Sequence, residues 1–218
     1  MLNKEDYQHI FHEIKNTVAL INSSLQLIQK QHPEVTGFHY WDDTLSDVQN
    51  LRSIITELST AKLAKDPECA PVKVLDFMEQ IANSTYASFE KSSVLCTFST
   101  DPELPDIFID SLRMKEAIIN LLKNSYEAVG ASGSVLVHAY RNENNVCIDI
   151  TDSGCGMDAD TLNRLYTPFF TSKENGNGLG LVITKNIIEA HNGSLSCRSI
   201  PQKGTTFTIT LPAFSASS

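Results

Sequence analysis

His12 and its neighbours are the first residues in this chain whose types and spacing could carry out chemistry. Glu13 is adjacent to His12, and Asn16 follows one helical turn later. A neutral imidazole nitrogen can act as a nucleophile, and a nearby carboxylate can hold the other ring N–H and fix the tautomer. The trio favours a phosphoacceptor histidine, with an ordinary solvated surface histidine as the alternative.

Hydrophobic spacing predicts the direction in which His12 points. On an ideal helix with Ile10 at angle zero, Ile14 lies within about 40° of it, whereas His12 lies at about 200° and Asn16 at about 240°. We therefore expect His12 to face solvent, away from the apolar seam, where a mobile partner could reach the imidazole.

Two asparagines four residues apart form a second candidate group. Asn120 and Asn124 lie on one helix face, with Lys123 beside them, inside one of the most apolar stretches of the chain. Amide oxygens are suitable Mg²⁺ ligands, and a lysine supplies a point charge for a phosphate. Polar residues within such a stretch need partners, which favours a functional site over a solvated helix face.

Two glycine-rich segments follow the asparagines. Asp152 ends an apolar strand and precedes Gly154 and Gly156, so its carboxylate could accept from an adenine amino group while the glycines allow close backbone approach. A plain tight turn is the alternative for this first segment.

The second glycine-rich segment precedes a predicted helix. Its alternating glycines are Gly176, Gly178 and Gly180. Backbone N–H groups at a helix start can hold phosphates. The spacing lacks the P-loop pattern, and no strand of a βαβ unit precedes it, so a dinucleotide site is disfavoured. Residues 167–176, with Phe169 and Phe170, are typical of a mobile lid.

Two amphipathic helices must position His12. Residues 3–31 and 41–58 repeat apolar residues at steps of three and four, and Pro33 with Gly37 breaks the pattern between them. One hairpin buries a single stripe per helix, so we expect two chains to close a four-helix bundle as a homodimer. Packing of the hairpin on the rest of its own chain is the alternative.

A mixed α/β region must position the asparagines and glycines. Residues 67–71 are expected to form an extended linker. Helices are predicted over residues 72–91, 111–130 and 178–191. Strands are predicted over residues 94–99, 106–109, 135–140, 146–152, 194–200 and 205–211. Helices on one side of a mixed sheet predict an α/β sandwich.

Composition excludes several classes of protein. The chain has 218 residues, is 41% hydrophobic and 20% charged, and carries a net charge of −9, which argues against a nucleic-acid binder. Five cysteines without CxxC pairing suit reduced thiols, so we expect a cytoplasmic protein. No apolar run approaches the roughly 20 residues of a bilayer span. We therefore expect membrane association only through a segment or partner outside this chain.

In order and spacing these segments resemble the sequence boxes of the sensor histidine kinase transmitter core, over nearly the whole chain. The matching segments are residues 12–16 (H box), 120–124 (N box), 152–156 (first glycine box), 167–173 (F box), 176–181 (second glycine box) and 204–207 (last glycine box). The resemblance implies a dimerisation and histidine phosphotransfer domain over residues 1–66. It also implies an α/β sandwich of the Bergerat ATP-binding type over residues 67–218.

The resemblance further implies an activity and a set of site residues. His12 would be phosphorylated from ATP with Mg²⁺ and would pass the phosphoryl group to an aspartate of a response regulator receiver domain. Asn124 would hold Mg²⁺, and Asn120 and Lys123 would lie near the phosphates. Asp152 would recognise the adenine base. The other implied nucleotide-binding residues are Gly154, Gly156, Phe169, Lys173, Gly176, Gly178, Leu179, Gly180 and Thr206. Glu13 and Asn16 also resemble the motif that dephosphorylates the partner, with Asn16 positioning water.

One departure from the family pattern and three alternative functions accompany this interpretation. Many members have proline where this chain has Thr17, so a straighter helix is expected here. A phosphorelay transferase or phosphatase that does not use ATP is one alternative. A dimeric adaptor without kinase activity is a second, and a serine-directed kinase or ATPase on the same pocket is a third.

Overall fold

The chain divides into two compact units. A computed structural model describes residues 4–63, 67–89, 93–171, 173 and 178–214. One unit comprises Met1–Lys65 with Pro168–Gly180, and the other comprises Asp66–Thr167 with Leu181–Ser218. The domain division expected between residues 66 and 67 stays a prediction, because Pro168–Gly180 group with the first unit here.

The first unit contains a helical hairpin. Helix α1 (Lys4–Gln31) packs against α2 (Trp41–Leu63), which confirms the two predicted helices. Between them lies a 3-10 helix, Pro33–Gly37, which begins with proline because that residue needs no N–H partner at a helix start. Its Val35 is buried, as are Val18 on α1 and Ile55 on α2. The four-helix bundle and the homodimer stay predictions for a single chain.

The second unit is built from helices and two sheets. The helices are α3 (Val74–Phe89), α4 (Ser111–Val129), α5 (Ala159–Arg164) and α6 (Gly180–Ala190). The strands are β1 (Ala70–Val72), β2 (Leu95–Thr100), β3 (Ile107–Ile109), β4 (Ser134–Asn142), β5 (Asn145–Asp152), β6 (Ser194–Ile200) and β7 (Gly204–Pro212). Within the described residues, five strands form a sheet in the order β2-β4-β5-β7-β6. Only the β2–β4 pair among these is parallel, so the sheet is mixed, as predicted.

Two elements of this unit differ from the sequence prediction. The last part of the expected linker is strand β1, which pairs antiparallel with β3 so that Pro71 lies opposite Phe108. Helix α5 was not predicted; its first turn is capped by the Asp158 carboxylate, which accepts from the Thr161 N–H. Both elements are short, and the pairing that stabilises β1 comes from residues far along the chain.

One face of the sheet forms the core. Alternate residues of β5 (Val146, Ile148 and Ile150) are fully buried, and the residues opposite Ile148 and Ile150 on β4 and β7 are buried as well. Helix α4 packs on β4, β5 and β7 through its own buried apolar residues, including Ile118 and Leu121. The opposite face is polar, so the sheet is covered by helices on one side and the predicted α/β sandwich is confirmed.

Truncation of a side chain in this core should destabilise the second unit. We expect Ile148→Ala to lower the free energy of unfolding by about 2 to 5 kcal/mol, because it removes buried methyl groups and leaves a cavity. Leu136→Ala is the matched control. Leu136 lies on β4, next to β5, on the polar face of the sheet, and it is 45% exposed. Urea unfolding checks both variants, and equal losses would contradict the placement of the core.

Candidate functional site

Asp152 is a buried carboxylate at the end of the central strand β5. Strand alternation places it in the same row as Ile150 and Ile148, so it is only 4% exposed. Its Oδ1 accepts the backbone N–H groups of Gly154 at 2.9 Å and Thr205 at 3.2 Å. Both of these bonds end on Oδ1, which leaves Oδ2 with capacity to accept from a ligand.

The charge state of Asp152 reflects opposing effects. Burial raises the pKa of the Asp152 carboxyl above its ordinary value, and the N–H groups of Gly154 and Thr205 lower it in part. The Ser125 hydroxyl also lowers this pKa. The ionised Asp152 carboxylate is therefore unfavourable unless a further group donates a hydrogen bond to it. A ligand that donates a hydrogen bond would suit this site.

Ser125 lies beside Asp152 and was missed by the sequence analysis. It sits on α4 directly after Asn124 and is 1% exposed. It is near enough to affect the pKa of Asp152, but its Oγ meets the geometry of a hydrogen bond with no atom of the described residues. An unpaired buried hydroxyl costs about 1–3 kcal/mol. Ser125 can therefore donate to a bound molecule or a water next to Asp152.

The strand register favours Thr205 over Thr206 as a site residue. Thr205 lies opposite Asp152 and is buried, whereas Thr206 lies opposite Thr151 and their hydroxyls are 3.0 Å apart on the polar face. A shift of one residue along a strand moves a side chain to the other face of the sheet. The register thus places Thr205 beside Asp152 and Thr206 on the polar face, and the assignment of Thr206 to the nucleotide site stays a prediction.

The glycines after Asp152 are required by close backbone contacts within the protein. A Cβ on Gly154 would lie 2.6 Å from the carbonyl oxygen of Ala128 on α4. Gly156 has φ of +63°, and a Cβ there would collide with the carbonyl oxygen of Ile200. The loop thus joins β5 to α4 and to the end of β6, which holds Asp152 in place.

Helix α4 carries the asparagines. The Asp110 carboxylate caps its first turn by accepting from the N–H groups of Leu112 and Arg113. The Asn120 Nδ2 donates to the Thr184 Oγ at 2.8 Å, so the Asn120 Oδ1 is the atom that could face a cation or a hydrogen-bond donor.

The other two polar groups of α4 differ in exposure. Asn124, one turn further on, is half-buried, and Lys123 beside it is exposed. The structure therefore places all three predicted polar residues on one helix, in a fixed order, next to Ser125.

A neutral thiol lies near Asp152 on the β6 side, and a neutral phenol lies near that thiol. Burial, and then the charge of Asp152, raise the pKa of Cys197 to about 12. Burial, and then Cys197, raise the pKa of Tyr166 to about 12. The Lys185 Nζ lies 4.9 Å from the centroid of the Tyr166 ring, within the range of a cation–π contact. The sequence gave no signal for either residue, since the sheet brings Cys197 near Asp152 and Tyr166 approaches Cys197 from the loop after α5.

The predicted lid residues belong to the first unit. Phe169 is exposed with φ of +65°, and its N–H donates to the Gly178 carbonyl at 3.1 Å. Lys173 is exposed, Leu179 is buried, and Gly180 is the first residue of α6. Gly176 lies outside the described residues.

The predicted phosphoacceptor segment lies on α1. Glu13 and Asn16 are exposed, while the side chain of His12 lies outside the described part of the chain. The Thr17 hydroxyl donates to the Glu13 carbonyl at 2.8 Å, and the helix continues unbroken through this position. The segment thus keeps the helical spacing on which the expected direction of His12 depends.

The described residues contain neither a helix suited to span a membrane nor a cluster of side chains suited to hold a metal ion. None of the helices in this part of the chain is both long and apolar enough to cross a membrane. In the same residues, no three His, Cys, Asp or Glu side chains are grouped so that they could hold a metal ion.

Sequence comparison identifies relatives of the chain. Residues 109–215 match the family described as histidine kinase-, DNA gyrase B- and HSP90-like ATPases. Sporulation kinase B of Bacillus subtilis is 35% identical over 213 residues, which are 94% of this chain and 48% of that protein. Sporulation kinase A of Bacillus subtilis is 35% identical over 207 residues, which are 93% of this chain and 33% of that protein. The chain thus spans about half or less of these relatives.

Solved structures share the fold. The catalytic domain of histidine kinase ThkA matches with a TM-score of 0.61 and 26% identity, over 67% of this chain and 96% of that chain. Full-length ShkA in complex with AMPPNP matches with a TM-score of 0.78 and 19% identity, over 100% of this chain and 47% of that chain. Histidine kinase ThkA in complex with response regulator protein TrrA matches with a TM-score of 0.69 and 23% identity, over 96% of this chain and 61% of that chain. The Bergerat-type fold of the ATPase domain is confirmed.

A side chain at position 154 should disturb the loop that holds Asp152. We expect Gly154→Ala to destabilise the protein by about 1–3 kcal/mol, because the new methyl group would press on the α4 backbone. Gly37→Ala is the control, since a Cβ at Gly37 meets no atom within 4 Å. Thermal unfolding compares the variants, and equal stability of Gly154→Ala and wild type would contradict the close contact.

Replacement of the Asp152 carboxyl should change how stability depends on pH. The raised folded pKa means that wild type loses stability as pH rises from the ordinary value of 3.8 through the folded pKa. Asn keeps an oxygen for the two N–H donors but cannot ionise. We expect the unfolding free energy of Asp152→Asn minus that of wild type to grow with pH over this window and then level off. Urea unfolding at several pH values measures the difference; a decrease would contradict the sign.

Proposed function

We propose that this chain is an ATP-dependent protein histidine kinase, because it belongs to the sensor histidine kinase family through its ATP-binding domain. In this proposal it phosphorylates its own His12 and transfers the phosphoryl group to an aspartate of a response regulator. The observation that carries the proposal is the buried Asp152 carboxylate, both of whose backbone hydrogen bonds end on Oδ1, with the Ser125 hydroxyl beside it.

The pair of Asp152 and Ser125 suits an adenine base. The exocyclic amino group of adenine donates a hydrogen bond, which a carboxylate accepts, and its ring nitrogens accept from a hydroxyl or a bridging water. Guanine presents the opposite pattern at this edge of the ring. Neutral Tyr166 and Cys197 nearby suit an uncharged aromatic ligand, and Thr205 keeps the carboxylate in position.

The polar residues of α4 suit a magnesium nucleotide. The amide oxygen of Asn124 would hold the ion, and Asn120 would lie near the phosphates with its oxygen turned to the cation, because the Asn120 nitrogen is already bonded to Thr184. Lys123 would add positive charge. When bound, Mg²⁺ neutralises charge on the β- and γ-phosphates. This donor set of amide oxygens fits the ion.

The segment that leads into α6 would bind the phosphates through its backbone. Its implied residues are Phe169, Lys173, Gly176, Gly178, Leu179 and Gly180. The glycines of this segment allow backbone N–H groups to converge on an anion at the N-terminus of α6. This role is supported by the box pattern and by the start of α6 at Gly180.

His12 would act as the nucleophile. A nitrogen–phosphorus bond would form on its ring as the bond between the γ-phosphorus and the bridging oxygen breaks, and ADP would leave. The Glu13 carboxylate would accept the other ring N–H and hold the reactive tautomer. The phosphoryl group would then pass to a receiver aspartate; the solved complex of ThkA with response regulator protein TrrA supports this class of partner.

The hairpin would bring two chains together. Ile14, Ile21 and Ile28 on α1 remain exposed at seven-residue spacing, beside the buried Val18. A second copy of the hairpin would cover this stripe and complete a four-helix bundle, which we propose as the homodimer.

The free thiols support a reducing compartment. All five cysteines fall in the described residues and none forms a disulfide. We therefore propose that the reaction occurs in the cytoplasm.

Exposed Asn16 favours a second activity on the same helix. Its amide could orient a water for removal of phosphate from the partner's aspartate, which would make the chain a phosphatase as well. The unbroken helix through Thr17 would set how close a partner comes to Asn16.

Incubation of the chain with γ-labelled ATP and Mg²⁺ tests the proposal. We expect label that is acid-labile and base-stable in wild type and absent in His12→Gln, because a phosphoramidate forms only on the imidazole. His32→Gln is the control; it removes an exposed histidine that contacts Glu34 at 3.0 Å, and it should label normally.

Other outcomes of this labelling would contradict the kinase proposal. Acid-stable label would indicate a serine-directed kinase. ATP binding without label would indicate a chain that works mainly as a relay or phosphatase. Absence of binding would favour the relay transferase or phosphatase that does not use ATP, and normal partner regulation by His12→Ala would favour a dimeric adaptor.

A further inference from the structure

We infer that His191 is a positioning residue of the nucleotide site, which joins the end of α6 to the start of α4 and holds the two helices in one register. The inference rests on the proposed function in one respect: α4 and α6 are taken to carry groups that bind the nucleotide. His191 itself follows the last residue of α6, and the proposed function assigns it no contact with the nucleotide.

The imidazole of His191 is buried and makes a bond from each ring nitrogen. It is 3% exposed. One nitrogen, Nδ1, contacts the Ile187 carbonyl at 2.7 Å, and the other, Nε2, lies 3.0 Å from the Asp110 backbone nitrogen. A carbonyl can only accept and a backbone N–H can only donate, so the proton is on Nδ1 and the ring is neutral. Both bonds depend on this tautomer.

The partner of His191 on α4 is the capping residue of that helix. The Asp110 carboxylate satisfies the first N–H groups of α4, and its own N–H is bonded to His191. The other oxygen of Asp110 accepts the Glu68 N–H at 3.2 Å. The start of α4 is therefore fixed in orientation, and His191 attaches the end of α6 to a rigid point.

A second polar bond joins the same two helices. The Asn120 Nδ2 donates to the buried Thr184, which lies two turns before His191 on α6. Early α4 meets late α6, and middle α4 meets early α6, so the helices run antiparallel. One bond alone would let α6 pivot about Thr184, whereas two bonds separated by about 10 Å fix both its direction and its position along α4.

The register of the two helices matters for binding because each helix orients a different part of the site. Asn124 lies one turn beyond Asn120 on α4. The direction of α6 decides where the N–H groups at its start point, since Gly180 is its first residue. Loss of the His191 bonds should weaken nucleotide binding although no contact with nucleotide is removed.

Two substitutions of His191 and one control variant test this role. His191→Leu removes both bonds. His191→Gln places an amide oxygen where Nε2 lies, so it can still accept the Asp110 N–H. Thr85→Val is the control, because it removes a buried bond of 2.8 Å to the Ile81 carbonyl on α3. Affinity for AMPPNP with Mg²⁺ is measured by titration calorimetry, and stability by thermal unfolding.

Affinity and stability should separate in these variants. We expect His191→Leu to bind about tenfold more weakly and His191→Gln to stay within about threefold of wild type. Thr85→Val should lose stability and keep its affinity. Equal affinity of His191→Leu and wild type would overturn the inference. So would equal weakening of the Leu and Gln variants, or equal weakening of Thr85→Val and His191→Leu.

Hydrogen exchange separates this inference from the proposed function. If wild type binds no AMPPNP, the proposed function fails, and backbone exchange without nucleotide decides whether His191 joins the helices. Faster exchange across α6 in His191→Leu, with α3 unchanged, would support the joint between α4 and α6. Unchanged exchange in α6 would overturn it.

Discussion

The burial of one carboxylate at the end of an apolar strand is the constraint on which the rest of the structure depends. Asp152 continues the row of Ile148 and Ile150 into the core, where an unpaired charge would be costly. The N–H groups of Gly154 and Thr205 offset this cost, and each requires a particular backbone path. The tight loop after β5 and the close approach of β7 thus follow from a single buried acid.

Helix α4 connects this acid to the remaining polar groups. Its apolar face packs on the sheet, which fixes the helix, and its other residues are carried along at set positions. Ser125 reaches Asp152, Asn120 reaches Thr184, and the Asp110 cap reaches His191. The polar bonds lie at places where packing alone would leave a helix free to rotate or slide. Stability and positioning are therefore provided by different faces of one helix.

Much of the fold followed from local pattern, and the failures have physical reasons. The 3.6-residue period predicted α1, α2 and α4, and alternation predicted β4 and β5, because each pattern reflects one buried face. Strand β1 is three residues long and is stabilised only by pairing with β3, so no local signal marked it. Helix α5 has six residues and none of them is buried. It therefore has no hydrophobic periodicity by which the sequence could reveal it.

The sequence by itself determined which chemical groups are present and the order in which they occur: a histidine with a neighbouring acid, paired asparagines, and an acid with glycines. Order and spacing were enough for the family, since they are properties of the chain alone. Tertiary structure decided which of these groups meet. It placed Thr205 opposite Asp152 through the sheet register and brought Ser125 to Asp152. It also joined His191 to Asp110 across 81 positions. Such contacts depend on packing between distant segments, which no local spacing encodes.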